Sequence, residues 1–148
     1  MKEIAKTRKS GKTPVSHGSE YWAEKPSERQ EEFLALCNVR EVLYGGAGGG
    51  GKSSALLMAA LEYVHVPGYA ALILRKTFAD LALPGALMDR AKEWLAGTGA
   101  KWNENTHTWT FPSGATLTFG YLEHKNDRER YRSSEFQFIG FDELTQFD

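Results

Sequence analysis

A glycine-rich segment and a pair of adjacent carboxylates are the parts of this sequence that could do chemistry. Residues 46–53 read Gly-Ala-Gly-Gly-Gly-Gly-Lys-Ser and satisfy the pattern GxxxxGKS of a phosphate-binding loop, or Walker A motif. Asp142 and Glu143 directly follow the apolar run 137–141, which is the arrangement of a Walker B motif. The two motifs together predict a site that binds and hydrolyses a nucleoside triphosphate.

The glycine-rich loop is predicted to hold the phosphates. Glycine permits the positive φ angles that point successive backbone N–H groups inward, and the helix N-terminus that follows adds a partial positive charge. Lys52 would contact the β and γ phosphates, and Ser53 would offer its hydroxyl to Mg²⁺. A flexible glycine linker is disfavoured, because the segment lies between an apolar run and an amphipathic helix. The predicted nucleotide-binding residues are Gly46, Ala47, Gly48, Gly49, Gly50, Gly51, Lys52, Ser53 and Ser54.

The two carboxylates are predicted to complete the site. Asp142 would hold Mg²⁺, directly or through water, and Glu143 would polarise the water that attacks the γ-phosphate. Two carboxylates after a strand also commonly cap the next helix, and capping and catalysis can coexist at one position. The Walker A motif upstream favours the catalytic interpretation.

Apolar periodicity predicts alternating strands and helices around both motifs. The pattern is typical of an α/β protein. The predicted strands are 41–44 ahead of the loop, 69–74, the hairpin of 109–111 and 116–119 across the turn 112–114, and 137–141 as a third parallel-type strand. The predicted helices are 53–63 and a later stretch with one apolar face formed by Leu87, Met88, Ala91, Trp94 and Leu95.

Two features near the N-terminus have competing interpretations. Residues 1–20 are basic and hold few apolar groups, which predicts a flexible tail that is either solvated or in contact with DNA phosphates. Ser27 and Gln30 have the spacing of a capping box at the start of a helix. That local role explains Gln30 at least as well as a ligand role does.

Composition bounds the class of protein. The chain has 148 residues, of which 41% are hydrophobic and 25% charged, as expected for one globular domain. The formal net charge of −1 gives no indication of nucleic-acid binding. Cys37 is the only cysteine, which excludes an internal disulfide and predicts a small core residue. No apolar run approaches the roughly 20 residues that span a bilayer, so we expect a soluble cytoplasmic protein.

Several short segments, in one order, resemble the large terminase subunits of tailed bacteriophages, the ATPases that drive double-stranded DNA into procapsids. The resemblance covers residues 21–148. The segments that carry it are 26–30, which looks like the family's adenine motif, 44–47 leading into 51–53, 72–77 with the sequence Leu-Ile-Leu-Arg-Lys-Thr, 111–114, and 136–147.

This resemblance implies a fold, a reaction and a set of partners. The fold would be a RecA-like P-loop NTPase of the ASCE type, a parallel sheet flanked by helices, with 1–20 as a tail and 21–148 as the N-terminal portion of the ATPase domain. ATP would be the substrate and Mg²⁺ the cofactor, with Gln30 at the adenine edge. The implied partners are double-stranded DNA, the small terminase subunit, the portal protein and further copies in a ring, in the host bacterial cytoplasm.

The sequence departs from the family at positions that bear on catalysis. Some terminases carry an arginine inside the Walker A loop, where this chain has Ala47 and glycines. An arginine finger would therefore come from elsewhere, and Arg75 and Arg130 are the candidates. Arg132 and Ser133 stand where family members often have Gln-Gly. For at least two arginines of the polar segment 126–134, a solvated face is the favoured interpretation.

The family also places a later strand between its Walker A and Walker B strands, and that strand and the C-terminal nuclease would lie beyond residue 148. We therefore expect unpaired backbone groups and exposed apolar side chains between the two motifs, and poor stability of the isolated chain.

Three functions remain in comparison. The first is the ATPase part of a DNA-packaging motor, in which hydrolysis drives DNA translocation. The second is another P-loop enzyme, such as a helicase or a recombinase-like ATPase. The third is a truncated remnant that binds nucleotide without turnover.

Overall fold

The computed structural model describes residues 19–36, 38–45 and 51–147. Predictions for the tail at 1–18, for Cys37 and for Gly46, Ala47, Gly48, Gly49 and Gly50 fall outside these ranges. The described helices are α1 (Glu28–Leu34), α2 (Lys52–Leu61), α3 (Phe78–Ala82) and α4 (Leu87–Leu95), with 3₁₀ turns at Ser19–Tyr21, Lys125–Tyr131 and Leu144–Gln146. The described strands are β1 (Ala70–Arg75), β2 (Lys101–Asn103), β3 (Thr108–Thr110), β4 (Thr116–Tyr121) and β5 (Phe138–Phe141).

The five strands form one sheet in the order β2-β3-β4-β1-β5. β1 pairs in parallel with both β4 and β5. β2, β3 and β4 are antiparallel neighbours. The expected parallel sheet is therefore correct only for its β4-β1-β5 part, because the predicted hairpin, with its tight turn at 112–114, adds an antiparallel edge to a mixed sheet.

β1 is the most buried strand of the sheet. Its residues from Ala71 to Leu74 are buried and apolar on both faces, as the continuous apolar run predicts for a parallel strand with both faces covered. α2 packs against β1 and β5, and α3 packs against β1 and β4. The apolar face of α4 is buried as predicted, and it joins α2 and the hairpin in one core cluster.

The segment 41–45 corrects the prediction of a strand ahead of the Walker A loop. It has no strand structure, and Leu43 in it is 73% exposed. The ring of Tyr44 stacks on Phe33 of α1 at a centroid distance of 5.0 Å, so a side-chain contact holds this segment where a ladder of backbone hydrogen bonds was expected. An apolar run becomes a strand only where a neighbouring strand satisfies its backbone groups.

A groove separates this segment from β5. Within the described residues, β5 pairs only with β1, and its outer edge faces a cavity of about 1060 Å³ that Val42, Leu43, Phe138 and Ile139 help to line. Ile139 is 52% exposed there. Exposed apolar side chains are thus present on this side of β5, as the sequence predicted.

The remaining helices and strands differ from the prediction in small ways. The predicted helix 53–63 begins one residue earlier, at Lys52, and ends at Leu61. The short helix α3 and the strand β2 were not predicted. None of the helices in the described ranges is long and apolar enough to cross a membrane.

Candidate nucleotide and catalytic site

The site lies at the carboxyl ends of the parallel strands. β1 ends at Arg75 and β5 at Phe141, with Leu74 of β1 opposite Phe141. The backbone N–H of Asp142 donates a hydrogen bond of 3.0 Å to the carbonyl of Leu74, which continues the ladder by one residue. The sequence placed Asp142 at this edge correctly, because parallel strands end on the same side of a sheet.

The N-terminus of α2 brings the end of the Walker A motif to the same edge. Gly51 precedes the helix in the left-handed conformation, with φ of 70° and ψ of 21°, which a residue with a side chain rarely adopts. Ser53, in the first turn, donates a hydrogen bond of 3.0 Å from its hydroxyl to Oδ1 of Asp142. Lys52 opens the helix and lines the groove beside β5. The structure thus joins the two motifs through side chains 89 positions apart.

Asp142 is held from two sides. Its side chain is only 6% exposed, and its second oxygen, Oδ2, accepts a hydrogen bond of 2.8 Å from Nε of Arg75. The guanidinium of Arg75 also lies 3.6 Å, from Nη2, from Oε1 of Glu143. One arginine of the same chain therefore contacts both of the adjacent carboxylates.

Glu143 has an unusual backbone conformation. Its φ of 55° and ψ of 50° lie in the left-handed region, which residues with a side chain adopt infrequently. Its side chain is 48% exposed and makes no capping hydrogen bond to the 3₁₀ turn that follows. The Glu143 side chain therefore does not cap the turn that follows it. Backbone strain of this kind is frequent at functional positions.

Gln30 forms the predicted capping box and one further contact. Its Oε1 accepts from the backbone N–H of Ser27 at 2.8 Å, and its own N–H donates to the Ser27 hydroxyl at 3.4 Å. Its Nε2 donates to the carbonyl of Gly51 at 2.8 Å. The buried amide thus links α1 to the start of α2. Contact with adenine stays a prediction, and the capping role is confirmed.

Ser54 is turned away from the Asp142 cluster toward α4. It is buried, and its hydroxyl accepts a hydrogen bond of 2.7 Å from Nη1 of Arg90. No sequence signal assigned a role to Arg90, because a lone arginine on a helix has no motif of its own. This contact anchors α2 to α4.

Arg130 lies in the 3₁₀ turn after β4. Its Nη2 is 3.1 Å from Oδ1 of Asp127, and its guanidinium lies over the ring of Tyr121, 4.6 Å from the centroid. A hydrogen bond from the His124 backbone, followed by the charge of Arg130, holds the pKa of Asp127 below its usual value, against the opposing effect of burial. Arg128, Arg130 and Arg132 are all exposed, as the solvated-face interpretation predicts.

The oxygen ligands at the site suit a hard divalent cation. The Ser53 hydroxyl and the Asp142 carboxylate are the kind of ligands that Mg²⁺ prefers, and Mg²⁺ is usually bound by one or two carboxylates together with waters and substrate phosphates. Within the described residues, no group of three or more His, Cys, Asp or Glu side chains is placed to hold a metal. The chemistry of these two oxygen donors therefore fits Mg²⁺.

The fold and the site define an α/β protein with a serine–aspartate pair where the N-terminus of α2 meets the end of the parallel strand β5. The family model described as the terminase large subunit, T4likevirus-type, N-terminal, matches residues 43–148. The chain therefore belongs to this family of phage terminase large subunits. No curated protein sequence and no solved structure matches it.

Proposed function

We propose that this chain is the ATPase part of a phage terminase large subunit, and that it hydrolyses ATP to power the packaging of double-stranded DNA into procapsids. The observation that carries the proposal is the hydrogen bond between Ser53 and Asp142, which brings the Walker A and Walker B motifs together in a chain of this family. The proposed fold class is the RecA-like P-loop NTPase.

Each side chain has a role in this proposal. Gly46 to Gly51 and Lys52 bind the phosphates, and Lys52 provides the positive charge toward the γ-phosphate. Ser53 and Asp142 would hold Mg²⁺, which, when bound, neutralises charge on the phosphates. Glu143 accepts a proton from the attacking water, and its 48% exposed side chain is accessible to that water.

Partners belong to the same proposal. Double-stranded DNA, the small terminase subunit and the portal protein are the expected partners of the complete subunit, which we expect to act as a ring in the host cytoplasm. Arg130 is the better placed candidate for an arginine finger toward a neighbouring subunit, because its side chain is 51% exposed, whereas that of Arg75 is 15% exposed and paired with Asp142. The family match favours a terminase over a helicase-like enzyme.

The proposal is tested with Lys52→Ala and Glu143→Gln, in assays of Mg²⁺-dependent ATP binding and hydrolysis by the purified chain. We expect Lys52→Ala to lose binding. Glu143→Gln should keep binding and lose turnover by roughly 10²–10⁴-fold, the usual contribution of a general base. Lys92→Ala and Glu129→Gln are matched controls, because both side chains form exposed surface ion pairs elsewhere, and both variants should behave as the wild type.

The outcomes separate the remaining alternatives. Binding without hydrolysis by the wild type would favour the nucleotide-binding remnant over the ATPase. A well-folded wild-type chain that binds no ATP would refute the nucleotide site itself. Hydrolysis that Glu143→Gln leaves unchanged would remove Glu143 from the mechanism and leave the phosphate loop in place.

A further inference from the structure

The geometry points to Arg75 as the positioning residue of the Walker B carboxylates, and not as an arginine finger. This inference rests on the proposed function, because it assigns to Arg75 the task of orienting Asp142 toward Ser53 and the magnesium–nucleotide complex. The sequence offered Arg75 only as a candidate arginine finger.

All three nitrogens of the Arg75 guanidinium have partners in this chain. Nε donates to Oδ2 of Asp142 at 2.8 Å, Nη1 donates to the carbonyl of Asp80 at 3.2 Å, and Nη2 lies 3.6 Å from Glu143. The side chain is 15% exposed. A finger must present its guanidinium to the transferred phosphoryl group, and this one is directed at the carboxylates and at the start of α3.

The hydrogen bond from Arg75 decides what the other oxygen of Asp142 can do. With Oδ2 held by Nε, Oδ1 faces the Ser53 hydroxyl and accepts a hydrogen bond from it, with 3.0 Å between the two oxygens. The lone pairs of the Ser53 oxygen are then left for a cation. A carboxylate rotated away from this position would accept no hydrogen bond from Ser53, so Arg75 acts on the cation site through Asp142.

An arginine suits this position better than a lysine. The planar guanidinium offers donors in several fixed directions at once, whereas an ammonium is a single point charge on a flexible stem. The Asp80 carbonyl at the start of α3 anchors one nitrogen, so the direction of the other two toward Asp142 and Glu143 is set by the fold. The same positive charge offsets part of the repulsion between two adjacent carboxylates.

The test measures how much Mg²⁺ improves nucleotide binding. A fluorescent ATP analogue is titrated into the wild type, Arg75→Ala and Arg75→Lys, once in excess Mg²⁺ and once in EDTA. Arg132→Ala is the matched control, because that arginine is 78% exposed and forms a surface ion pair with Glu129. Circular dichroism confirms that each variant retains the wild-type secondary structure.

We expect the affinity in EDTA to stay within about twofold of the wild type, and the gain from Mg²⁺ to fall by roughly 10–100-fold in Arg75→Ala, as is usual when a partner of a metal ligand is removed. Arg75→Lys, which keeps the charge but offers one direction only, should lose less than Arg75→Ala. Free guanidinium at low millimolar concentration should partly restore the gain in Arg75→Ala.

A gain from Mg²⁺ in Arg75→Ala equal to that of the wild type would overturn the positioning role and leave the proposed function intact. If Arg75→Ala does not fold, Arg75→Lys still tests the inference. An improvement of nucleotide affinity by Mg²⁺ equal to that of the wild type would show that the site does not need a guanidinium. A folded wild-type chain that binds no nucleotide under either condition would instead refute the proposed function, and the role of Arg75 with it.

Discussion

The two sides of β1 differ in how completely they are packed. On one side, which we call the closed flank, β4, β3 and β2 continue the sheet, and Trp109, Leu117 and Phe119 are buried in the main core. On the other, the open flank, β5 is followed by the groove and the segment 39–45. The site lies between them, because Arg75 ends the central strand and Asp142 follows the open one.

This difference shows which flank holds the side chains of the site in place and which flank leaves them accessible to solvent. The closed flank fixes the central strand, which ends at Arg75, and the helix α2, which carries Ser53, through buried contacts that resist movement. The open flank contributes the two carboxylates on a strand with one described partner. Side chains placed at such a boundary are positioned from one side and remain accessible from the other.

The largest expected effect is a difference in the free energy of unfolding between alanine variants at two isoleucines. Ile73 of β1 is fully buried, and its replacement by alanine should lower the free energy of unfolding by roughly 2–5 kcal/mol, the usual loss when a cavity is left in a core. Ile139→Ala on β5 should change it by less than about 0.5 kcal/mol, because that side chain is half exposed. Urea unfolding of both variants measures the pair. Equal losses would show that the two flanks are packed alike.

A smaller difference in stability is expected between alanine variants at two glycines. A methyl group at Gly120 would meet the hydroxyl of Tyr131, its ring carbon Cζ at 2.8 Å and Leu74 at 3.1 Å, so Gly120→Ala should cost roughly 1–3 kcal/mol. At Gly140 the methyl group would meet the end of the Leu56 side chain at 2.7 Å and the ring edge of Phe138 at 3.0 Å, and both of these side chains are partly exposed and can move. Gly140→Ala should therefore cost less, as measured by the shift of the thermal midpoint. A larger cost at Gly140 would contradict the idea that the open flank yields.

The smallest effect is expected in acid. In the turn beside the closed flank, the backbone N–H of His124 holds the pKa of Asp127 below its unfolded value, so this carboxylate stabilises the fold above that unfolded value. The stabilisation is lost as the pH falls from about 4 through the folded pKa, because the unfolded state then binds more protons. The slope of unfolding free energy against pH should be shallower in Asp127→Asn. An identical slope would remove Asp127 from the acid response.

The hairpin and the strand before Asp142 could be predicted from the sequence, because their signals are local. The Pro-Ser-Gly turn and the apolar run 137–141 each favour their own conformation. The short helix α3 also had a local signal that was not used. Thr77 caps it by accepting from the N–H of Asp80, a residue three positions on.

The rest depends on contacts that no local pattern contains. The segment 41–45 looks like a strand and is not one, because strand structure requires a partner for its backbone groups. The role of Arg75 follows from the register that sets β1 beside β5, and the contact of Arg90 with Ser54 follows from the packing of α4 against α2. None of these is visible in spacing along the chain.

The absence of a side chain at Gly140 has a consequence for the register of β5 on β1. Leu56 of α2 lies where a β-carbon at this position would be. If β5 slipped by one residue along β1, the bulky side chain of Ile139 or Phe141 would be brought to this place. The same slip would set Glu143, with its longer side chain, or Phe141 opposite Ser53 in place of Asp142. Gly140 thus favours one register of β5 on β1. A change of register would also change which residue lies opposite Ser53.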